Sequence, residues 1–237
     1  MPFEVKYYKL ACEYRFKSNL LFFDAMHKMA ESLVASYKHW QTTGINITLM
    51  SPEERAALTM EHNRIGLGMD IPDEVERFEA RFDRAFRVYN DHLKINEYGR
   101  VGVRSISMVQ VDFSFDELVS ITKDIFLPNS DALGGIVGTS VNDFMYNVVT
   151  EKGGHSVHTI CGPVQKSEIS RWYTPEPMMT DPGEVPKEIK YPDVALFIDC
   201  DWYINEPSLK IADDFFAKGL RTASSIPKQL AMYVFER

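Results

Sequence analysis

Between Glu4 and Phe16 apolar and polar residues alternate, with Tyr8, Leu10, Cys12, Tyr14 and Phe16 on one side and Lys9, Glu13 and Arg15 on the other. A period of two is that of a strand with one buried face. After Ser18, a residue type favoured at helix N-caps, Phe22, Met26, Met29, Leu33 and Tyr37 recur at helical spacing without Pro or Gly, which predicts a long amphipathic helix. Two short runs, 38–43 and 46–50, flank Gly44-Ile45, and a longer one, 55–70, follows Ser51-Pro52-Glu53; these predict three strands. Val75, Phe78, Phe82, Ala85 and Tyr89 then form one stripe of a second helix, with Asp73/Arg77 and Asp83/Arg87 spaced i,i+4 on its solvated side.

The same order recurs. Residues 100–112 alternate as a strand, and Ser114 with Glu117 has the spacing of a capping box for a helix over 115–126, whose stripe is Leu118, Ile121, Thr122 and Ile125 and which stops at Pro128. Residues 143–164 read as two strands about a Gly153-Gly154 turn, 193–203 as a third, and 208–225 with 227–236 as helix. The expected fold is therefore α+β: two β-α-β-β-β-α repeats, 1–95 and 96–237, forming a curved antiparallel sheet with its helices on one face. A Pro-rich arm at 165–193 interrupts the second repeat.

The strand Arg100-Val101-Gly102-Val103-Arg104, opening the second half, and the strand Phe197 to Tyr203 (FIDCDWY) near the C-terminus carry a resemblance. They resemble an R-x-G-x-R strand and an F/L-x-I/L-D-x-D-x-Y/F-like strand of a sporadically distributed bacterial family of uncharacterised proteins, and the element order resembles the saddle-shaped, TATA-binding-protein-like architecture. The resemblance implies a fold and no chemistry, since one fold hosts many functions.

Composition narrows the classes. With 45% hydrophobic and 25% charged residues among 237, the chain is outside the disordered, collagenous and disulfide-scaffold ranges. Lys and Arg number 26 against 34 Asp and Glu, a net charge of −8. Nucleic-acid binders carry basic faces, and no Lys/Arg run occurs here, so a nucleic-acid partner is not expected. No apolar run reaches the roughly 18 residues of a membrane span, and residues 1–10 lack the regions of a signal peptide, so a cytoplasmic location without a membrane partner is expected. The three cysteines, Cys12, Cys161 and Cys200, form no C-x-x-C and read as buried thiols.

Arg100 and Arg104 share one face of their strand with Ile106, Met108 and Gln110, and Asp199 and Asp201 share one with Phe197 and Tyr203. If both face away from the helices, two guanidinium forks and two carboxylates converge. The functional reading is a site for an anionic or polar ligand; the structural one is a ladder of cross-strand ion pairs. A hard cation on Asp199 and Asp201 would need about six oxygens, and Asp112 supplies only one more carboxylate. His155, His158 and Cys161 have zinc-ligand types, yet residues three apart on a strand face opposite ways. His27 beside Met26 and Met29 reads as helix stripe, and Glu61-His62, adjacent on a strand, face apart. Gly134-Gly135 with Gly138-Thr139-Ser140 lacks the lysine of a phosphate loop and reads as a flexible connection. No cofactor is expected.

The arm carries Pro175, Pro177, Pro182, Pro186 and Pro192 together with Trp172, Tyr173, Met178 and Met179. So long a loop is usually functional or disordered, and its large apolar residues are of the kind that anchor interfaces. The expectation is that it clasps a second subunit or covers the ligand face, against the plainer reading of an excursion packed on its own domain. Together these features lead to a non-catalytic, homo-oligomeric module that binds a polar small molecule or a partner protein through Arg100, Arg104, Asp199 and Asp201, with Trp172, Tyr173, Met178 and Met179 at the interface. The alternative is a hydrolase or transferase using the same four residues.

Overall fold

The computed structural model of the chain describes residues 3–176, 178–179 and 188–236, and of residues 137, 152 and 209–214 the backbone only. Nine strands among the described residues, β1 (Glu4–Phe16), β2 (His39–Thr42), β3 (Asn46–Ser51), β4 (Ala56–Glu61), β5 (Arg64–Asp70), β6 (Tyr98–Gln110), β7 (Tyr146–Lys152), β8 (His155–Gln165) and β9 (Val194–Asn205), make one open sheet in the order β2-β3-β4-β5-β1-β6-β9-β8-β7. Every neighbouring pair is antiparallel. The helices among the described residues are α1 (Leu21–Val34), α2 (Val75–Leu93), α3 (Phe115–Phe126), α4 (Ser130–Val137), α5 (Ile169–Trp172) and α6 (Leu209–Phe235). The chain is thus α+β. No helix among the described residues is long and apolar enough to cross a membrane.

The alternation in β1 and β6 decides which sheet face is buried. Leu10, Cys12, Tyr14 and Phe16 from β1 and Val101 and Val103 from β6 join the core beneath α1, α2 and α6, where Phe22, Phe78, Phe82 and Tyr89 are fully covered. A second cluster, Val109, Cys161, Leu196 and Ile198, lies under α3 and the C-terminal half of α6. Burying a large apolar side chain contributes about 1.5–3 kcal/mol, so these two layers dominate the stability.

Several local features follow the sequence closely. Ser114 and Glu117 form the full capping box of α3, and Glu117 is held below its ordinary value by hydrogen bonds from the Ser114 amide and hydroxyl. Gly153 and Gly154 take φ of +60° and +80°, the left-handed pair a two-residue hairpin turn demands. Elsewhere the structure corrects the reading. The run 55–70 is a hairpin, β4 and β5 around His62-Asn63, because its inward residues change from even (Ala56, Leu58, Met60) to odd (Ile65, Leu67, Met69). The first half therefore has four strands between its helices, not three. Ser18 does not cap α1; the Asn19 side chain accepts from the Leu21 amide and donates to the Leu93 carbonyl. Residues 134–138, expected as a flexible connection, belong to α4 and to its C-cap at Gly138, where φ is +77°. Arg77 pairs with Glu54 instead of Asp73, whereas Asp83 and Arg87 do pair, at 2.8 Å.

Helix α6 runs through Pro227, which has no amide to donate to the carbonyl four residues back. That carbonyl, of Ala223, accepts the Ser105 hydroxyl of β6 at 2.6 Å, and the adjacent Ser224 carbonyl accepts the Tyr7 hydroxyl of β1. The proline thereby frees the Ala223 carbonyl, and the two hydroxyls fasten the helix to the two central strands.

A candidate polar site on the open sheet face

The register places the outward residues in cross-strand rows. One row runs Ala57, Gly68, Ala11, Arg104, Asp201 and His158 from β4 to β8; the next runs Thr59, Gly66, Glu13, Gly102, Tyr203 and Ser156. A third holds Glu61, Arg64, Arg15 and Arg100, and a fourth Asp70, Lys9, Ile106, Asp199 and Ile160. Arg100, Arg104, Asp199 and Asp201 therefore do share the face away from the helices.

They meet in pairs. Arg104 grips Asp199 with both arms of its fork, Nε to Oδ1 at 2.8 Å and Nη2 to Oδ2 at 2.5 Å. Arg100 donates to Asp201 at 2.7 Å, lies over the Tyr203 ring at 4.5 Å, and folds across Gly102, where a Cβ would come within 3.1 Å of its Nη1. On its other side it approaches Glu13 at 3.8 Å, and Glu13 also pairs with Arg15 at 2.5 Å and with Arg64 at 3.2 Å, which pairs with Glu61 at 2.7 Å. The ladder thus spans five strands, and the four residues singled out in the sequence are its right-hand end. Glu13, Arg64 and Glu61 complete it; Glu13 was legible as an outward residue of β1, but Arg64 required the hairpin.

Electrostatics sort the members. The bidentate bond to Asp199 raises Arg104, and burial raises Asp201 against the pull of Arg100 and Arg104. The Asp199 side chain is 7% exposed while that of Arg104 is 47% exposed, so the carboxylate is consumed by the pair and the guanidinium keeps an open edge. On β1, β4 and β5 the same face carries a depression of about 260 Å³, lined by the small residues Ala11, Ala57, Gly66 and Gly68 together with Glu13, Arg64 and Glu176.

The arm closes the opposite end of the depression. After a 3-10 turn (Lys166–Glu168) and α5, Tyr173 is buried with Tyr8, Ile106, Met108, Ile189 and Phe197 on the open face. Tyr8 is there because a bulge between Tyr7 and Lys9 shifts the alternation, so it leaves the side of Leu10 and Cys12 on which its parity placed it. Tyr8 stacks on Tyr191 at 5.7 Å and donates to the Lys190 carbonyl at 3.1 Å. The Glu176 amide donates to Asp70 at 2.6 Å, and the Glu176 carboxylate pairs with Lys9 at 2.8 Å over Gly68, where a Cβ would stand 2.2 Å from its Oε1. Asp70 is buried, which raises it; its Oδ1 lies 3.9 Å from Lys9 Nζ, and the Tyr173 hydroxyl is buried on its other side. Tyr173, expected at an interface, is thus spent within the chain, whereas Trp172 and Met179 keep 37% and 44% exposure. Met178 is half-buried, and Pro177, Pro182 and Pro186 lie outside the described residues.

The other candidates fall apart geometrically. His155 stacks on Trp202 at 4.9 Å on the helix side, with Cys161 in the core, while His158 faces outward and meets Asn147 at 2.7 Å. Asp112 lies six residues beyond Ile106, the partner of Asp199, or about 20 Å along the strand. Burial drives the Cys161 and Cys200 thiols up to about 12 and Cys12 well above its ordinary value. Among the described residues no three His, Cys, Asp or Glu side chains are grouped to hold a metal ion. No protein-family model matches the chain, and no curated protein matches it.

Proposed function

We propose that the protein is a non-catalytic binding module that takes a polar small molecule carrying an anionic group on its open sheet face. The half-exposed Arg104 fork carries this reading: Asp199 fixes the guanidinium in place and leaves its remaining N–H groups to grip the ligand, and Arg64, lining the shallow depression over Ala11 and Gly66, adds a second guanidinium on the same face. Against the alternative of a hydrolase or transferase stands the engagement of the ladder: each of its carboxylates is bonded to a guanidinium, and the thiols are buried and pushed up, so none is poised as nucleophile or base. The flanking strands descend outward from β1 and β6 as β5-β4-β3-β2 and β9-β8-β7. This order supports reading residues 1–95 and 96–237 as two related units of the saddle type, each a strand, a helix, an antiparallel meander and a second helix, with four meander strands in the first and three in the second and the site at their seam. Exposed Trp172 and Met179 support an oligomer joined through the arm.

Native mass spectrometry of the protein purified without additives tests the site. The expected result is a stoichiometric anionic adduct, retained in the wild type and lost in Arg64→Ala and in Arg104→Lys, which keeps the charge but not the fork. An adduct retained by both variants, or no adduct at any protein concentration, overturns it.

A further inference from the structure

A hollow of about 630 Å³ lies on the other side of the molecule, between α2 and α6. Its floor is aromatic: Tyr14, Phe82, Phe86 and Phe216, with Tyr14 5.3 Å from Phe82 and 4.8 Å from Phe86, and Phe82 4.8 Å from Phe216. Its rim is acidic. Glu76, Glu79, Asp83, Phe86 and Asn90 follow at intervals of three and four residues and so form one stripe along α2 about 21 Å long.

Three arginines of α2 sit apart from its acids, and Arg87 alone among the α2 arginines lines the hollow with them. Arg77, Arg81 and Arg84 face α1 and are spent within the chain: Arg77 and Arg81 pair with Glu54, Arg81 also donates to the Ser36 carbonyl at 3.0 Å, and Arg84 donates to the Ser36 hydroxyl at 2.9 Å. The acids face the hollow. Of them only Asp83 has an ion-pair partner among the described residues, Arg87 on the same helix, while Glu76, Glu79 and Asp91 have none there. Of the floor rings Tyr14, Phe82 and Phe216 are buried and Phe86 is half-buried, and an un-neutralised row of carboxylates beside that ring has its complement in a ligand with an apolar residue and flanking cations.

We infer that this groove docks a cationic amphipathic polypeptide segment, with apolar residues against Phe86 over the aromatic floor and Lys or Arg against Glu76, Glu79 and Asp91. The occupant is helical: a helix of about fourteen residues matches the length of the stripe. An anionic membrane surface would be repelled by the same rim. This site is separated from the Arg104 face by the sheet itself, so either stands without the other.

Fluorescence anisotropy with a labelled fourteen-residue Lys/Leu helical peptide, and a Lys/Ser peptide of the same charge, decides it. The full chain should bind the Lys/Leu peptide at least about tenfold more tightly than the Lys/Ser one. Glu76→Lys/Glu79→Lys, on the exposed rim, should lose about tenfold, as should Phe86→Ala, while Asp24→Lys/Glu31→Lys, the same charge change on α1 across α2, should stay within about twofold. Equal binding of the two peptides, equal loss in both double variants, or no binding overturns the proposal, as does a dimer of the chain that Phe86→Ala dissociates, since a second copy would then fill the groove.

Discussion

The Arg104–Asp199 pair joins a nearly buried carboxylate to a half-exposed guanidinium, and the two partners are not equivalent. Removing the cation strands the anion in a low-dielectric site. Arg104→Ala should therefore lose about 3 kcal/mol in urea unfolding, the low end for a buried pair because the guanidinium is half exposed. Arg104→Met/Asp199→Leu should lose less than that single change, since replacing both partners removes the stranded charge as well as the attraction; a larger loss in the double variant would show that the pair is a net source of stability. The pairing was legible in the sequence because a period of two puts 100 and 104, and 199 and 201, on common faces. That Glu13 bridges Arg15, Arg64 and Arg100 was not, because it depends on the register between β5, β1 and β6, strands some fifty to ninety residues apart. Tyr8 shows the same limit at one position: its parity is right for the core, and a single bulged residue turns it to the opposite face.

Among the elements, helices with a full apolar stripe and a cap were readable, α3 above all, since its Ser114–Glu117 box and Pro128 lie within fourteen residues. Turns without Gly or Pro were not: His62-Asn63 reverses the chain with neither, and only the change of parity between Met60 and Ile65 records it. The fastening of α6 is likewise nonlocal, since Pro227 frees a carbonyl that a serine of β6 satisfies. Ser105→Ala should cost about 1–3 kcal/mol by leaving the Ala223 carbonyl buried without a donor. In a Pro227→Ala background, where the restored amide supplies the helical bond, the same substitution should cost less than about 1 kcal/mol. Chemical denaturation of the four proteins completes the cycle, and additivity would mean that Ser105 acts independently of the proline.

At the scale of the molecule, the arm is fastened across the open face through a buried carboxyl, and this makes its attachment sensitive to acid. Asp70 faces Lys9 and Glu176 on one side and Tyr173 on the other, and its desolvation raises it above the ordinary 3.8. With a folded value above the unfolded one, the native state takes up the proton first, so the ionised group costs stability above its folded value and that cost disappears as pH falls through it. The stability of the wild type relative to Asp70→Asn should rise as pH is lowered from neutrality toward the ordinary 3.8, read as the difference in urea midpoints; a difference that stays constant over that range would mean that burial does not raise Asp70. The sheet order has a consequence of another kind, for biosynthesis. β1 sits at the centre, but its partner β6 is completed only at Gln110, ninety-four residues after Phe16. At ribosomal rates of about 5–20 residues per second, β1 waits roughly 5–20 s with a thirteen-residue strand edge unpaired. On a polysome, where neighbouring nascent chains carry the same open edge, the β6 of one chain can close the β1 of another, and exchange of halves between copies is the error that this topology invites.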